Sequence, residues 1–191
     1  MSRDEMVKKL KESLKPDRFI HTLGVEQTAG ELAPRYGIDP AQARLAGLLH
    51  DCAKGRSPDK MRQLIRQGGI DVDDMEWQTV SLLHAPAGAA AARLEYGVTD
   101  EAVLSAIRWH TTGRPHMSPL EELIYLSDVI EPNRPGYPGL DRVREAVRRD
   151  LNEAMKLAVQ DTVEYVKGNK RQLHSRSLAL LNSLYEQKET K

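Results

Sequence analysis

Four histidines and two aspartates fall on the apolar faces of predicted helices, where titratable side chains are uncommon. They are His21, His50, Asp51, His84, His110 and Asp128. His110, for example, follows Val103, Ala106 and Ile107 at the i, i+3, i+4, i+7 spacing of a helix face that points into a core. An ionised carboxylate in an interior is costly unless it is paired or coordinated. We expect no lysine or arginine on the same faces to pair with these aspartates.

Divalent metal ions would make such a buried set favourable. Neutral imidazoles and carboxylates are metal ligands, and the ion supplies the missing positive charge. Histidine and aspartate without cysteine clusters favour iron, manganese, zinc or magnesium. Six ligands exceed the need of one tetrahedral ion and suit two ions about 3.5–4 Å apart that share a carboxylate and activate water for attack on a phosphoryl group. The alternative is a core in which each histidine is satisfied structurally.

Helices must bring these residues together, because they are spread over more than half of the chain. Ala, Leu, Glu, Arg and Lys dominate, and the alternation typical of strands is absent. N-cap residues followed by proline, as in Asp39-Pro40 and Ser118-Pro119, mark helix starts. Helices are predicted near 4–15, 17–35, 40–52, 58–67, 76–96, 99–110, 119–130, 140–167 and 174–187.

Composition limits the class of protein. The 191 residues predict one all-α domain over 1–191, with a core of about 17–131 and C-terminal helices 140–187 packed on it. Lysine plus arginine and aspartate plus glutamate number 28 each, and aromatic residues make up 5%, so neither a nucleic-acid partner nor a membrane is expected. A secretory signal is absent and Cys52 is alone, which predicts a cytoplasmic protein. The composition is compatible with a monomer or a homodimer.

Three stretches resemble the YqeK family of the HD superfamily, which comprises bacterial symmetrical bis(5′-nucleosyl)-tetraphosphatases. The stretches are LAGLLHDCAKG (45–55), SAIRWHTTGRPHMSPLE (105–121) and LIYLSDVIEPNRPGYPG (123–139). The resemblance extends from His21 to about Leu180. It implies an HD-domain helical bundle that cleaves diadenosine tetraphosphate in the middle and releases two ADP. The implied cofactor is two divalent ions, with iron first.

The resemblance also assigns ligands to the two ions. Those of one ion would be His21, His50, Asp51 and Asp128. The other ion would be held by His84 and His110, with Asp51 bridging the pair. The family commonly has Tyr or Phe at the position of Cys52, and this difference places a thiol that could be oxidised beside the site.

Candidate catalytic residues are Asp51 and Lys54, since Lys54 lies about one turn after Asp51 and could lean over the same opening. Arg114 and Arg134 follow ligand-bearing helices, and arginine suits a planar, two-pronged hold on phosphate. Ordinary solvated side chains are the alternative for all three basic residues. The predicted substrate contacts are Asp51, Cys52, Ala53, Lys54, His84, His110, Arg114, Asp128 and Arg134.

Two other functions compete with this hypothesis. The same chemistry could act on a different substrate, as an HD-type nucleotide phosphatase or phosphodiesterase. The domain could also be a non-catalytic nucleotide-binding module. All six ligand positions are filled, which argues against a loss of catalysis.

Overall fold

A computed structural model describes residues 1–170 and 172–186, and within these ranges the chain forms helices and connecting turns without a strand. The all-α prediction is therefore confirmed. The helices are α1 (Arg3–Ser13), α2 (Pro16–Leu32), α3 (Pro40–Leu49), α4 (Pro58–Gly68), α5 (Asp74–Gln78), α6 (His84–Tyr96), α7 (Glu101–Trp109), α8 (Pro119–Ile130), α9 (Leu140–Ala146), α10 (Leu151–Gly168) and α11 (Ser175–Glu186), with a 3₁₀ turn over Ala33–Tyr36.

The predicted caps fix several helix starts. At α8 the Ser118 hydroxyl accepts a hydrogen bond from the Glu121 N–H, and the Glu121 carboxylate accepts one from the Ser118 N–H. Pro119 occupies the first helical position, where its missing N–H costs nothing. An N-cap of this type contributes about 1 kcal/mol to stability. As a result, α8, which carries Asp128, spans the range expected from sequence.

Two predicted helices are each divided in the structure. The predicted helix 76–96 becomes α5 and α6 with a turn over 79–83 between them. Pro86 explains the break, because proline is tolerated in the first turn of a helix and not in its interior. The predicted helix 140–167 becomes α9 and α10, since Asp150 accepts a hydrogen bond from the Glu153 N–H and starts a new helix. Gln187, the predicted end of the last helix, lies outside the described residues.

Helix α8 lies between two hydrophobic clusters. Its residues Leu123 and Ile124 pack in a cluster built by α1 to α4, α6 and α7. Its residues Leu126 and Ile130 pack in a second cluster with α9, α10 and α11. Burying a leucine or isoleucine side chain contributes about 1.5–3 kcal/mol. Apolar burial on both sides therefore fixes the helix that carries Asp128.

A close contact between α2 and α3 depends on Gly47. A Cβ at this position would lie 3.0 Å from the Glu26 Cα, tighter than side chains normally allow. The glycine lets the two backbones approach and brings the end of α3, where His50 lies, towards His21 on α2. No helix within residues 1–170 and 172–186 is long and apolar enough to span a membrane.

Candidate metal centre

The structure brings the six predicted ligands together, although they come from α2, α6, α8 and the turns after α3 and α7. Three overlapping sets each place one nitrogen or oxygen atom per residue within 4.8 Å of the others. These sets are His21, His50 and Asp51; His50, His110 and Asp128; and Asp51, His84 and His110. Neighbouring sets share residues, so the cluster is continuous.

Asp51 lies in the middle of the cluster and is 2% exposed. Its Oδ2 is 3.5 Å from Nε2 of His50. Its Oδ1 faces the other side, 3.4 Å from Nε2 of His84 and 3.7 Å from Nε2 of His110. Oδ2 thus faces the half of the cluster that contains His21 and His50, and Oδ1 faces the half that contains His84 and His110. A carboxylate that bridges two ions requires this arrangement.

Backbone carbonyls fix the orientation of three imidazoles. In His50, His84 and His110, Nδ1 lies 2.7 Å from the carbonyl oxygen of the residue three positions earlier. A carbonyl oxygen can only accept, so Nδ1 carries the proton and donates. Each Nε2 is then left with a lone pair that faces the cluster, which is the tautomer of a metal-binding histidine.

His21 is oriented differently, by two carboxylates. Its Nδ1 is 3.0 Å from Oε1 of Glu131, and its Nε2 is 3.0 Å from Oδ1 of Asp128. Glu131 is 1% exposed and was not among the predicted site residues. Glu131 directly follows the last residue of α8, and helix periodicity does not predict where a side chain in this turn points.

Buried polar atoms without partners support the metal interpretation. Within residues 1–170 and 172–186, Nε2 of His50 and Oδ1 of Asp51 are buried and have no hydrogen-bond partner, and the 3.0 Å contact between Nε2 of His21 and Oδ1 of Asp128 lacks hydrogen-bond geometry. An unsatisfied buried polar atom costs about 1–3 kcal/mol. The donor set of imidazole nitrogens and carboxylate oxygens suits divalent ions, which would supply the missing partners. The cluster can therefore bind metal ions.

Electrostatics favours the protonation states that metal binding needs. Burial raises the pKa of Asp51, but His50, His110 and His84 outweigh it and hold that pKa well below its ordinary value. For Asp128, burial is likewise outweighed, by His21 and Arg134, and its pKa is also lowered. Burial lowers the pKa of His84 to about 3. At neutral pH the aspartates are ionised and His84 is neutral, as ligands must be.

The expectation that no basic side chain would pair with the aspartates is wrong. Nη1 of Arg18 lies 2.8 Å from Oδ2 of Asp51. Nη2 of Arg134 lies 2.8 Å from Oδ1 of Asp128. Arg18 precedes His21 by three residues, so helix spacing alone places it on the ligand face of α2 and could have identified it. Arg134 comes from the loop after α8, as the sequence suggested.

Two polar side chains face the His84 half of the cluster. Nζ of Lys54 is 3.1 Å from Nε2 of His84, so the structure places this side chain beside the cluster. Burial lowers the pKa of this lysine. Oγ1 of Thr111 lies 3.0 Å from Nε2 of both His84 and His110. Helix periodicity does not place this hydroxyl, and only the fold shows that it points into the cluster.

Three predicted substrate contacts are either paired with another side chain or buried. The guanidinium of Arg114 is held by Glu121, with Nη2 2.9 Å from Oε1. The thiol of Cys52 donates to the Gly88 carbonyl oxygen at 3.4 Å, and burial raises its pKa to about 12. The expectation of a thiol that could be oxidised beside the site is therefore wrong, because this thiol is buried. The Ala53 side chain is fully buried in the core.

A cavity of about 430 Å³ opens beside the cluster on its His21 side. Arg18 and Arg134 line it together with Glu131 and Asn133. The volume is typical of small-molecule sites. Two guanidinium groups beside ionised aspartates make this cavity suited to a phosphorylated ligand.

A second acidic group, Asp73, Glu76 and His174, also has ligand atoms within 4.8 Å. Arginines already satisfy it. Arg108 donates to both Glu76 oxygens, at 2.7 and 2.8 Å, and Arg176 donates to Oε2 at 2.7 Å. His174 is buried and pairs with Asp73 at 3.0 Å. This group is an ion-pair network that ties the start of α11 to α5 and α7.

Comparisons with known proteins agree with the geometry. The HD domain family model matches residues 18–165. The chain is 43% identical to the "Bis(5'-nucleosyl)-tetraphosphatase, symmetrical" of Halalkalibacterium halodurans over 96% of this chain and 97% of that protein. It is 42% identical to the protein of the same name from Bacillus subtilis, over 87% and 88% of the two chains.

A solved structure from Clostridium acetobutylicum is also similar, with a TM-score of 0.93 and 38% identity over 98% of both chains. It is described as a "predicted HD superfamily hydrolase involved in NAD metabolism". A family model that matches most of the chain, and relatives above 40% identity along nearly its whole length, agree on one assignment. This chain belongs to the HD-domain family, within its group of symmetrical bis(5′-nucleosyl)-tetraphosphatases, the YqeK family.

Proposed function

We propose that this protein is a metal-dependent hydrolase that cleaves diadenosine tetraphosphate symmetrically and releases two ADP. The observation that carries the proposal is the cluster of four imidazoles around Asp51, with buried nitrogen and oxygen atoms that lack partners. The two relatives with the highest identity quoted above carry the name of this activity. The full set of ligand residues argues against a non-catalytic binding module.

Two divalent ions would be held by His21, His50, Asp51 and Asp128 in one half and by Asp51, His84 and His110 in the other. Bound there, they would supply positive charge for the phosphate oxygens and lower the pKa of water. Asp51 is the residue that both halves share, and its ionised state suits this role.

The basic side chains would orient the polyphosphate. Arg18 and Arg134 line the cavity beside the cluster and can hold non-bridging oxygens in a planar, two-pronged contact. Lys54 lies at the opposite half, where its ammonium can neutralise the charge that develops on the departing ADP. Thr111 can donate its hydroxyl to an oxygen in the same half.

Symmetrical cleavage is tested by product analysis. Protein loaded with Fe²⁺ or Mn²⁺ is incubated with diadenosine tetraphosphate, and the nucleotides are separated by chromatography. We expect ADP as the sole product. AMP together with ATP would contradict the proposal, because that pair results from asymmetric attack.

A panel of nucleotides tests the second candidate function, which is hydrolysis of a nucleotide other than diadenosine tetraphosphate. The similar structure described with NAD metabolism favours testing other nucleotides that contain a pyrophosphate. NAD, diadenosine triphosphate, ATP and a cyclic dinucleotide are compared with diadenosine tetraphosphate at equal concentration. If any of these nucleotides is hydrolysed faster than diadenosine tetraphosphate, that nucleotide becomes the proposed substrate. The protein would then be an HD-type nucleotide phosphatase or phosphodiesterase.

Finer properties belong to the same proposal. We propose iron as the first choice of metal, a cytoplasmic location, a single domain over 1–191 and no nucleic-acid partner. Elemental analysis of freshly purified protein tests the metal, and light scattering decides between a monomer and a homodimer. The substrate in the cell would be a dinucleoside polyphosphate.

A further inference from the structure

The four imidazoles of the cluster are not supported alike. Within the described ranges, Nδ1 of His50, His84 and His110 donates to a neutral backbone carbonyl, whereas Nδ1 of His21 donates to a carboxylate. A carboxylate behind a ligating histidine fixes the ring and strengthens its bond to the ion. The difference separates the His21 half of the cluster from the His84 half.

Three donors surround the Glu131 carboxylate. Its Oε1 faces Nδ1 of His21 at 3.0 Å, while Oε2 accepts from the backbone N–H of Asn133 at 2.7 Å and from the Asn133 Nδ2 at 3.0 Å. An amide in place of the carboxylate would have one accepting oxygen instead of two. It could satisfy Asn133 or His21, but not both.

Gly24 makes room for this carboxylate. A Cβ at position 24 would overlap Oε2 of Glu131 and approach Nδ2 of Asn133 to 3.1 Å. A side chain at position 24, one turn along from His21 on α2, would therefore displace the Glu131 carboxylate. The glycine, the glutamate and the histidine form one local arrangement.

Charge differs between the halves as well. The His21 half contains Asp51, Asp128 and the buried Glu131, and the arginines that face its aspartates are each one-third exposed and therefore screened by water. Of these three carboxylates, only Asp51 also belongs to the His84 half. That half also faces the Lys54 ammonium, which lies 3.1 Å from Nε2 of His84.

We propose that Glu131 is a positioning residue that acts through His21, and that it makes the two halves unequal, so that the His21 half binds its ion more tightly. The inference rests on the proposed function, because it presumes a centre with two ions. The His84 half would be occupied second, at higher metal concentration. The enzyme would then be fully loaded only above the second dissociation constant.

The experiment measures Mn²⁺ binding by equilibrium dialysis, with thermal unfolding of the same samples as a check on the fold. Wild type is expected to bind in two separate phases, and His84→Gln to lose the weaker one. Glu131→Gln should weaken the tighter phase by about 10–100-fold and leave the weaker phase unchanged. Gly24→Ala, which displaces the same carboxylate, should shift the same phase.

Asp17→Asn is the matched control. Asp17 is exposed and lines the same cavity, so the change removes one negative charge nearby and leaves the contacts of Glu131 with His21 and Asn133 in place. Its two binding phases should match those of wild type. Gly24→Ala decides the question if Glu131→Gln fails to fold.

Failures of the two proposals are distinguishable. Absence of Mn²⁺ binding by wild type would overturn the proposed function. Two equal sites in wild type would overturn only the present inference. An unchanged tighter phase in the folded Glu131 and Gly24 variants would also overturn only the inference about Glu131. Equal weakening of both phases in these variants would do the same.

Discussion

The guanidinium of Arg18 on α2 donates a hydrogen bond of 2.8 Å to Oδ2 of Asp51, the carboxylate at the centre of the cluster. Arg18 also lines the 430 Å³ cavity, so one side chain reaches both the proposed metal centre and the space for a ligand. Arg134 makes the corresponding contact with Asp128. The cavity is thus bounded by two arginines that hold the two aspartates.

Arg18→Gln is expected to weaken substrate binding more than metal binding. A charged hydrogen bond to phosphate contributes about 1.5–3 kcal/mol, so KM for diadenosine tetraphosphate should rise by about 10–100-fold. Metal content should stay at the wild-type level, because Arg18 is not a ligand. Steady-state kinetics and elemental analysis check both expectations. Arg18→Lys should recover part of the loss, and an unchanged KM in Arg18→Gln would remove Arg18 from the substrate site.

Gly47→Ala is expected to destabilise the fold and to disturb the cluster. The added Cβ would meet the Glu26 backbone at 3.0 Å and push α3 away from α2. We expect a loss of about 1–3 kcal/mol in the free energy of unfolding, measured by urea denaturation. Gly136→Ala is the control, since nothing lies within 4 Å of a Cβ there and stability should be unchanged or slightly higher. Equal stability of the two variants would contradict the close-packing argument.

Glu122 predicts a pH dependence of stability. Burial, with Glu121 and Asp150 nearby, raises the pKa of Glu122 to about 7. The folded state therefore keeps a proton that the unfolded state releases near pH 4.5, and the Glu122 contribution to stability falls as pH rises between these values. Glu122→Gln should gain about 2–3 kcal/mol at pH 8 and less than about 1 kcal/mol at pH 5.

The control for this prediction is Glu12→Gln on α1, because Glu12 is exposed and should change stability by less than about 0.5 kcal/mol at either pH. Urea unfolding of both variants and wild type at the two pH values provides the comparison. A gain for Glu122→Gln that is the same at pH 5 and pH 8 would show that the carboxyl does not titrate in this window.

Sequence reasoning located the cluster because its residues follow helix periodicity. His110 and Asp128 each continue an apolar face, and the caps fixed the start of the helix that carries Asp128. The same reasoning missed Glu131, which lies in a turn, and it did not place the Thr111 hydroxyl in the cluster. Side chains on turns are placed by tertiary contacts, which leave no periodic signal in the sequence.

Arg18 and Cys52 show a different limit. Arg18 was overlooked although its spacing to His21 placed it on the ligand face, so this miss could have been avoided. Cys52 adjoins a site residue in sequence, but its side chain turns towards Gly88 and the core. Adjacency along the chain does not specify which way a side chain points after a helix ends at Leu49.

The central claim is that Asp51 joins the two halves of one metal centre that performs the hydrolysis. Metal content and ADP formation, measured together on wild type and Asp51→Asn, test it most directly. We predict that wild type binds two ions and converts diadenosine tetraphosphate to ADP, whereas the folded variant loses both ions and the activity. A folded Asp51→Asn protein that retains its metal and still releases ADP would contradict the account.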